Sequence, residues 1–187
     1  MKTTSCAAML ILCVLLALLP VGAIPTSAGG QSDRIQIVPC DVRAYVLEGS
    51  PSGINVRSGP GKIYKAIRNL PIQKVEGIEV HITGASGEWV RIDKAVEEGG
   101  DPDRIFFQGT GWIYARLLGA GGKSITNGVT NLYQDKSLRS SIISSVSADD
   151  DVTVRGCDGQ WTFVEHKKKR GWAAPGTLCP NSLTTCA

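Results

Sequence analysis

The chain has 187 residues, of which 42% are hydrophobic and 20% charged, with a formal net charge of +3 at pH 7. So weak a balance gives no case for a nucleic-acid partner, which is met by dense basic surface. The length suits one ordinary domain or two small ones.

The N-terminal segment, residues 1–28, reads as an export signal. Lys2 is the only charged side chain before Asp33, and an apolar stretch runs from Cys6 to Leu19 until Pro20 interrupts it. That stretch is shorter than the roughly 20 residues a helix needs to cross a bilayer. Small residues stand at two acceptable cleavage positions, Val21 with Ala23 and Thr26 with Ala28; cleavage after Ala28 is favoured, with Ala23 the alternative. Neither Cys6 nor Cys13 is placed for lipidation. No second apolar stretch follows, so the mature protein is expected to be exported, to a periplasm or the medium, without an integral membrane segment.

An internal repeat then organises the chain. Residues 40–119 form the first copy, in which Ile54-Asn55-Val56 reads as a short strand leading to a turn. Ser58-Gly59-Pro60-Gly61 supplies restricted and permissive backbone for that change of direction. Ala66-Ile67 and Val80-His81-Ile82 follow, the latter alternating as a strand with one buried face does. In Trp89-Val90-Arg91-Ile92 the same alternation turns Val90 and Ile92 inward and Trp89 and Arg91 outward. Lys94 to Thr110 are extra relative to the second copy: Glu97 to Asp103 read as an exposed loop, and Ile105-Phe106-Phe107 as added strand. Phe106 and Phe107 either seal the barrel side or form a protein-contact surface. Gly111-Trp112 closes the copy, with Trp112 assigned to core or seam, and Gly119 to Lys123 read as a short joint.

The second copy, residues 123–186, repeats the order with Thr130-Asn131-Leu132, Ile142-Ile143, Val152-Thr153-Val154, Gly159-Gln160-Trp161 and Gly171-Trp172. Trp161 and Phe163 point outward, opposite Thr162 and Val164. Trp172, like Trp112, is assigned to core or seam. Asp149-Asp150-Asp151 reads as a turn, since no spaced oxygen ligands follow. His166-Lys167-Lys168-Lys169-Arg170 reads as a solvated turn tip, with attraction to anionic polymers or headgroups as the functional alternative.

Four cysteines lie beyond the signal, Cys40, Cys157, Cys179 and Cys186. An even count in an exported chain of small modules points to two disulfides. The repeat suggests their pairing: Cys157 and Cys179 correspond to Ala85 and Gly119, so both are missing together from the first copy. Cys157–Cys179 is therefore expected, which leaves Cys40–Cys186.

Asn55-Val56-Arg57-Ser58-Gly59-Pro60-Gly61, with the later Gly87-Glu88-Trp89 and Gly111-Trp112, resembles the signature of the bacterial Src-homology-3-like (SH3-like) module. The second copy lacks the Arg-Ser-Gly-Pro run and is recognisable mainly through Trp161 and Trp172. The resemblance implies an all-β chain of two tandem, partly open barrels of about five to seven strands each. It also implies binding to peptidoglycan or to other envelope proteins, often as an accessory to a hydrolase. In the eukaryotic relatives of the fold a Trp at a similar place lines the peptide groove. The expected ligand-binding set is accordingly Trp89, Arg91, Tyr64, Tyr114, Trp161 and Phe163, against the alternative that each Trp packs under a loop or on the neighbouring module. The proline-rich mode is not expected, for want of a second adjacent Trp and an acidic-aromatic loop.

An enzyme needs a nucleophile or base with partners. The two histidines, His81 and His166, stand in a strand pattern and a basic turn. With all four cysteines oxidised no thiolate remains, and there is no zinc motif, phosphate loop or dinucleotide fingerprint. The expectation is a non-catalytic binding module without cofactor, whose partner is peptidoglycan or another envelope component. The alternative is a subunit or inhibitor acting on an envelope protein through Phe106 and Phe107.

Overall fold

A computed structural model describes residues 35–47, 52–71, 75–99, 104–123, 128–184 and 186. The export signal over residues 1–28 and its cleavage sites lie outside the described residues.

Short runs of β-branched and aromatic residues punctuated by Gly, Asn and Ser give strands almost throughout. They are β1 (Val38–Val46), β2 (Ile54–Arg57), β3 (Ala66–Leu70), β4 (Ile78–Ser86), β5 (Trp89–Glu97), β6 (Ile105–Tyr114) and β7 (Leu118–Gly122). The chain continues with β8 (Val129–Tyr133), β9 (Ile142–Ser147), β10 (Asp151–Asp158), β11 (Trp161–His166), β12 (Lys169–Ala173) and β13 (Leu178–Cys179). A single 3₁₀ turn, Ala115–Leu117, precedes β7. The fold is all-β, and no described helix is long and apolar enough to cross a membrane.

The strands form one antiparallel sheet in the order β3-β2-β6-β5-β4-β1-β7-β10-β11-β12-β8-β9, with β13 on β7. Alternation decides what is buried. Val80, Ile82, Val90 and Ile92 are fully buried, as is Val164, while Trp89, Arg91, Trp161 and Phe163 are half-buried on the opposite face. Two cores result. The second gathers Ala120, Leu132, Val146, Val152, Val164 and Ala173. The first is built from β1 to β6 with Ala115 and Leu118 after them, and also takes Val154 and Cys157 from β10. The second copy thus completes the core of the first.

The stretch from Gly119 to Lys123, expected as a short joint, is strand up to Gly122. Leu118–Gly122 is the strand that β1, β10 and β13 all pair with. Two of its three glycines allow close approach: a Cβ on Gly122 would stand 2.2 Å from the Ser147 carbonyl oxygen, and one on Gly119 2.5 Å from Leu47. Side chains are missing because neighbouring chain occupies their space.

The disulfides are Cys40–Cys157 and Cys179–Cys186, so the expected pairs Cys157–Cys179 and Cys40–Cys186 are corrected. Cys179 sits opposite Gly121 of β7, and Gly121 faces Asp151 at the start of β10. Cys157 is near the far end of β10, about 20 Å further along at the strand rise, out of disulfide reach. The β10–β11 turn instead docks on β1, through Asp41 N–H to the Gly159 carbonyl at 2.8 Å and Gly159 N–H to the Pro39 carbonyl at 2.9 Å. That brings the Cα atoms of Cys40 and Cys157 to 5.8 Å.

Three further expectations change. Phe106 is 5% exposed in the first core, and half-buried Phe107 packs against that core, so of the two expected roles the packing one is seen for Phe106. Glu98, expected in an exposed loop, is buried and accepts hydrogen bonds from Ser182 N–H and Oγ, fastening the C-terminal tail. His166 continues the inward set of β11 after Thr162 and Val164 and is 5% exposed. Its ring nitrogens make no hydrogen bond among the described residues, although Nε2 lies 3.3 Å from an Asp150 carboxylate oxygen. The neighbouring Lys167 to Arg170 are exposed, as expected of a turn tip.

Candidate functional site

In the first copy Trp89 and Tyr114 are cross-strand partners on β5 and β6, their rings 5.5 Å apart and tilted by 54°. Tyr114 donates to Glu88 at 3.4 Å, and Arg116 bonds the other Glu88 oxygen at 2.7 Å. The Arg116 guanidinium lies 5.9 Å from the Tyr114 ring centre. Arg91 is engaged at home: its Nε donates to Thr83 Oγ1 and its Nη2 to the Thr83 carbonyl. Tyr64 lies in the turn after β2 with its ring over Gly59, where a Cβ would come within 2.3 Å. No ring contact joins Tyr64 to Trp89 and Tyr114 among the described residues. Tyr64 thus packs on its own turn and Arg91 is hydrogen-bonded to Thr83, while Trp89 and Tyr114 form a surface pair.

The second copy is richer. Across β11, β12 and β8, Phe163 faces Trp172 and Trp172 faces Tyr133. Phe163 and Trp172 are 5.0 Å apart, and Trp161 meets Tyr133 edge-on at 6.1 Å. All four rings are half-buried, on the face away from the second core. Lys136, tied to Asp158, holds its ammonium 5.4 Å from the Trp172 ring centre.

Trp172 and Phe163 of this row also line a shallow, open cleft of about 440 Å³ at the seam. Trp172, Phe163, Arg155 and Gly156 contribute from the second copy, and Ser86 and Gly87 from the β4–β5 turn of the first. The register of β10 against β11 slips between Val154 and Gly156, the mark of a bulge, a device that re-aims neighbouring side chains. A Cβ on Gly156 would meet no protein atom within 4 Å.

Charge is concentrated beside the cleft. One oxygen of Glu165 accepts from Arg155 Nη2 at 2.6 Å, Arg155 Nε at 3.2 Å and Arg170 Nε at 2.7 Å. The hydrogen bonds from Arg155 and then Arg170 hold the Glu165 carboxyl down at about 2. The Arg155 side chain is 10% exposed. Arg155 also helps lower Glu88, and Glu165 supports the charge of Arg116, so the ion pairs of the two copies act across one seam.

A second polar cluster lies on the outer face of β4. His81 bonds Asp93 through Nδ1 at 2.8 Å and Asp41 through Nε2 at 3.0 Å. Partial burial opposes the charged ring, but the hydrogen bonds to Asp41 and Asp93 outweigh it and raise the pKa above the ordinary 6.5. Asp41 is held below its usual value by hydrogen bonds from His81 and Gln160. The arrangement fastens three strands, with both ring nitrogens engaged. Alternation pointed His81 outward, but its partners depend on strand register, which local sequence does not carry. Among the described residues no group of three or more His, Cys, Asp or Glu is arranged to hold a metal ion.

No protein-family model matches the chain, and no curated protein sequence matches it. Two solved structures show some likeness. NlpC2 from Trichomonas vaginalis is 15% identical with a TM-score of 0.28, over 74% of this chain and 47% of that one. NlpC1 from the same organism is 15% identical with a TM-score of 0.29, over 79% and 47%. The chain thus spans about half the length of each, and likeness this slight carries no argument.

Proposed function

We propose that the protein is a non-catalytic, exported binding protein made of two SH3-like barrels, residues 40–119 and 123–186. It holds a polymer of the cell envelope, peptidoglycan in the first instance, on the outer aromatic row of the second copy. The observation that carries this reading is the row itself: Tyr133, Trp161, Phe163 and Trp172 lie half-exposed on neighbouring strands. Flat, stiff rings with one face toward solvent offer large contact area at low entropic cost, which is why such side chains dominate binding surfaces. The Trp89–Tyr114 pair stands across the charged seam and extends the surface.

Two disulfides fit an oxidising compartment, a periplasm or the medium. Burial of Phe106 in the first core counts against the alternative of a protein partner docking on Phe106 and Phe107.

Co-sedimentation of the secreted protein with purified sacculi tests the reading, at low and moderate salt. The protein should pellet at both salt concentrations. Trp172→Ala should weaken binding at least tenfold and Trp89→Ala only a few-fold. A protein that stays in the supernatant at both salt concentrations overturns the proposal.

A further inference from the structure

We infer that the cleft at the seam recognises an acidic saccharide, with the sugar ring on Trp172 and its carboxylate at Arg155. This rests on the reading above and adds a ligand class to it: a sugar acid whose carboxylate is free, as on a muramoyl residue that has lost its stem peptide and not on one that carries it.

Charge argues for an anion. Among the described residues lining the cleft, Arg155 is the only charged one. The ion pairs beside it among the described residues are Arg155 and Arg170 on Glu165 and Arg116 on Glu88, three cations to two anions. Lys136 and Asp158 cancel each other beside the indole. Glu165 engages Arg155 through Nε and Nη2 on a single oxygen, which fixes the plane of a nearly buried guanidinium. Nη1 takes no part in that pairing. A planar, pre-oriented guanidinium suits a carboxylate far better than a mobile ammonium does.

Shape and polarity argue for a sugar ring. The cleft is of small-molecule size. It combines one aromatic side, from Trp172 and Phe163, with neutral hydrogen-bonding groups on Ser86 and Gln36. A pyranose matches that mixture, since its C–H face is apolar and its rim carries hydroxyls. The open space over Gly156 lets a ligand approach the backbone there.

Calorimetric or NMR titration of the full secreted chain with N-acetylmuramic acid, N-acetylglucosamine and a short acidic peptide tests the inference. N-acetylmuramic acid should bind at least fivefold more tightly than the neutral sugar and than the peptide. Arg155→Gln should abolish that preference and leave weak binding of both sugars. Because Arg155→Gln also disturbs Glu165, Gly156→Leu provides a second test: a Cβ there has open space, so the longer side chain should reach into the cleft and remove sugar binding while the protein keeps a cooperative thermal transition. Equal affinity for the two sugars, a preference that survives Arg155→Gln, or tighter binding of the peptide overturns the inference. Sacculi that pellet the protein while neither sugar binds overturn it and leave the wider reading standing. Sugar preference without sacculus binding does the reverse.

Discussion

Each copy places an indole after a glycine in its closing strand, and the two indoles have opposite surroundings. Trp112 has Arg57 and Arg91 as its cross-strand neighbours and is 4% exposed. Both guanidiniums are anchored to backbone carbonyls, Arg57 to Lys62 and Tyr64, Arg91 to Thr83. Anchored heads keep long apolar stems lying along the sheet. Trp172 has Tyr133 and Phe163 in the corresponding places and remains half-exposed. Tyr133 occupies the place that Arg57 holds in the signature of the first copy. The departure that makes the second copy hard to recognise is therefore the change that opens its aromatic face.

The comparison can be broken most forcefully at the bridge that joins the copies. Cys40→Ser with Cys157→Ser frees residues 117 apart, which in the chain-entropy model costs about 5 kcal/mol. The same treatment of Cys179 and Cys186, 7 apart, costs about 2 kcal/mol. Urea unfolding should show one shifted transition for the first change, because Val154 and Cys157 belong to the first core; two separated transitions would mean that the copies are independent. Truncating the indoles sharpens the contrast. Trp112→Ala should cost about 3–5 kcal/mol, as large buried side chains do, whereas Trp172→Ala should cost less than about 2 kcal/mol and act mainly on binding. Equal losses would erase the distinction.

A smaller effect belongs to the hairpins. The β10–β11 turn uses Gly159 at a φ of 55°, but the β11–β12 turn holds Lys167 and Lys168 at φ of 48° and 68°. Two lysines in the left-handed region are strained where Asn-Gly is favoured. Lys167→Asn with Lys168→Gly should therefore raise stability by about 1–2 kcal/mol, read as a higher urea midpoint.

The smallest effects have opposite signs in the two copies. His81 has its pKa raised from 6.5, so its cluster supports the first copy fully below pH 6.5 and less as pH rises through the folded value. Glu165 has its pKa lowered from 4.5 to about 2, so its pairs support the second copy above pH 4.5 and less as pH falls toward 2. Tm profiles of His81→Gln and Glu165→Gln should each converge on the parent, the first at alkaline pH and the second at strongly acid pH. Convergence at the same end would refute the assignment.

What could be read from the chain alone was local. The alternation at Val80-His81-Ile82, Val90-Arg91-Ile92 and Thr162-Phe163-Val164 assigned inside and outside correctly because side-chain direction depends only on strand parity. It also put Trp89 and Trp161 outside. It did not extend to His166, whose basic neighbours masked its place in the same inward set. Register was not legible, and with it went the cysteine pairing, the partners of His81 and the row that joins Tyr133 to Trp172. The glycines of β7 misled because lack of side chains reads equally as slack linker and as crowding.

The shared first core also bears on the order of events during synthesis. Residues 40–119 emerge while two of the side chains that fill their interior, Val154 and Cys157, are still to be made. Cys40 must wait 117 residues for its sulfur partner. The leading half therefore has a complete interior only once the trailing half is present, so a protein cut after residue 119 should be less stable than the same residues within the full chain.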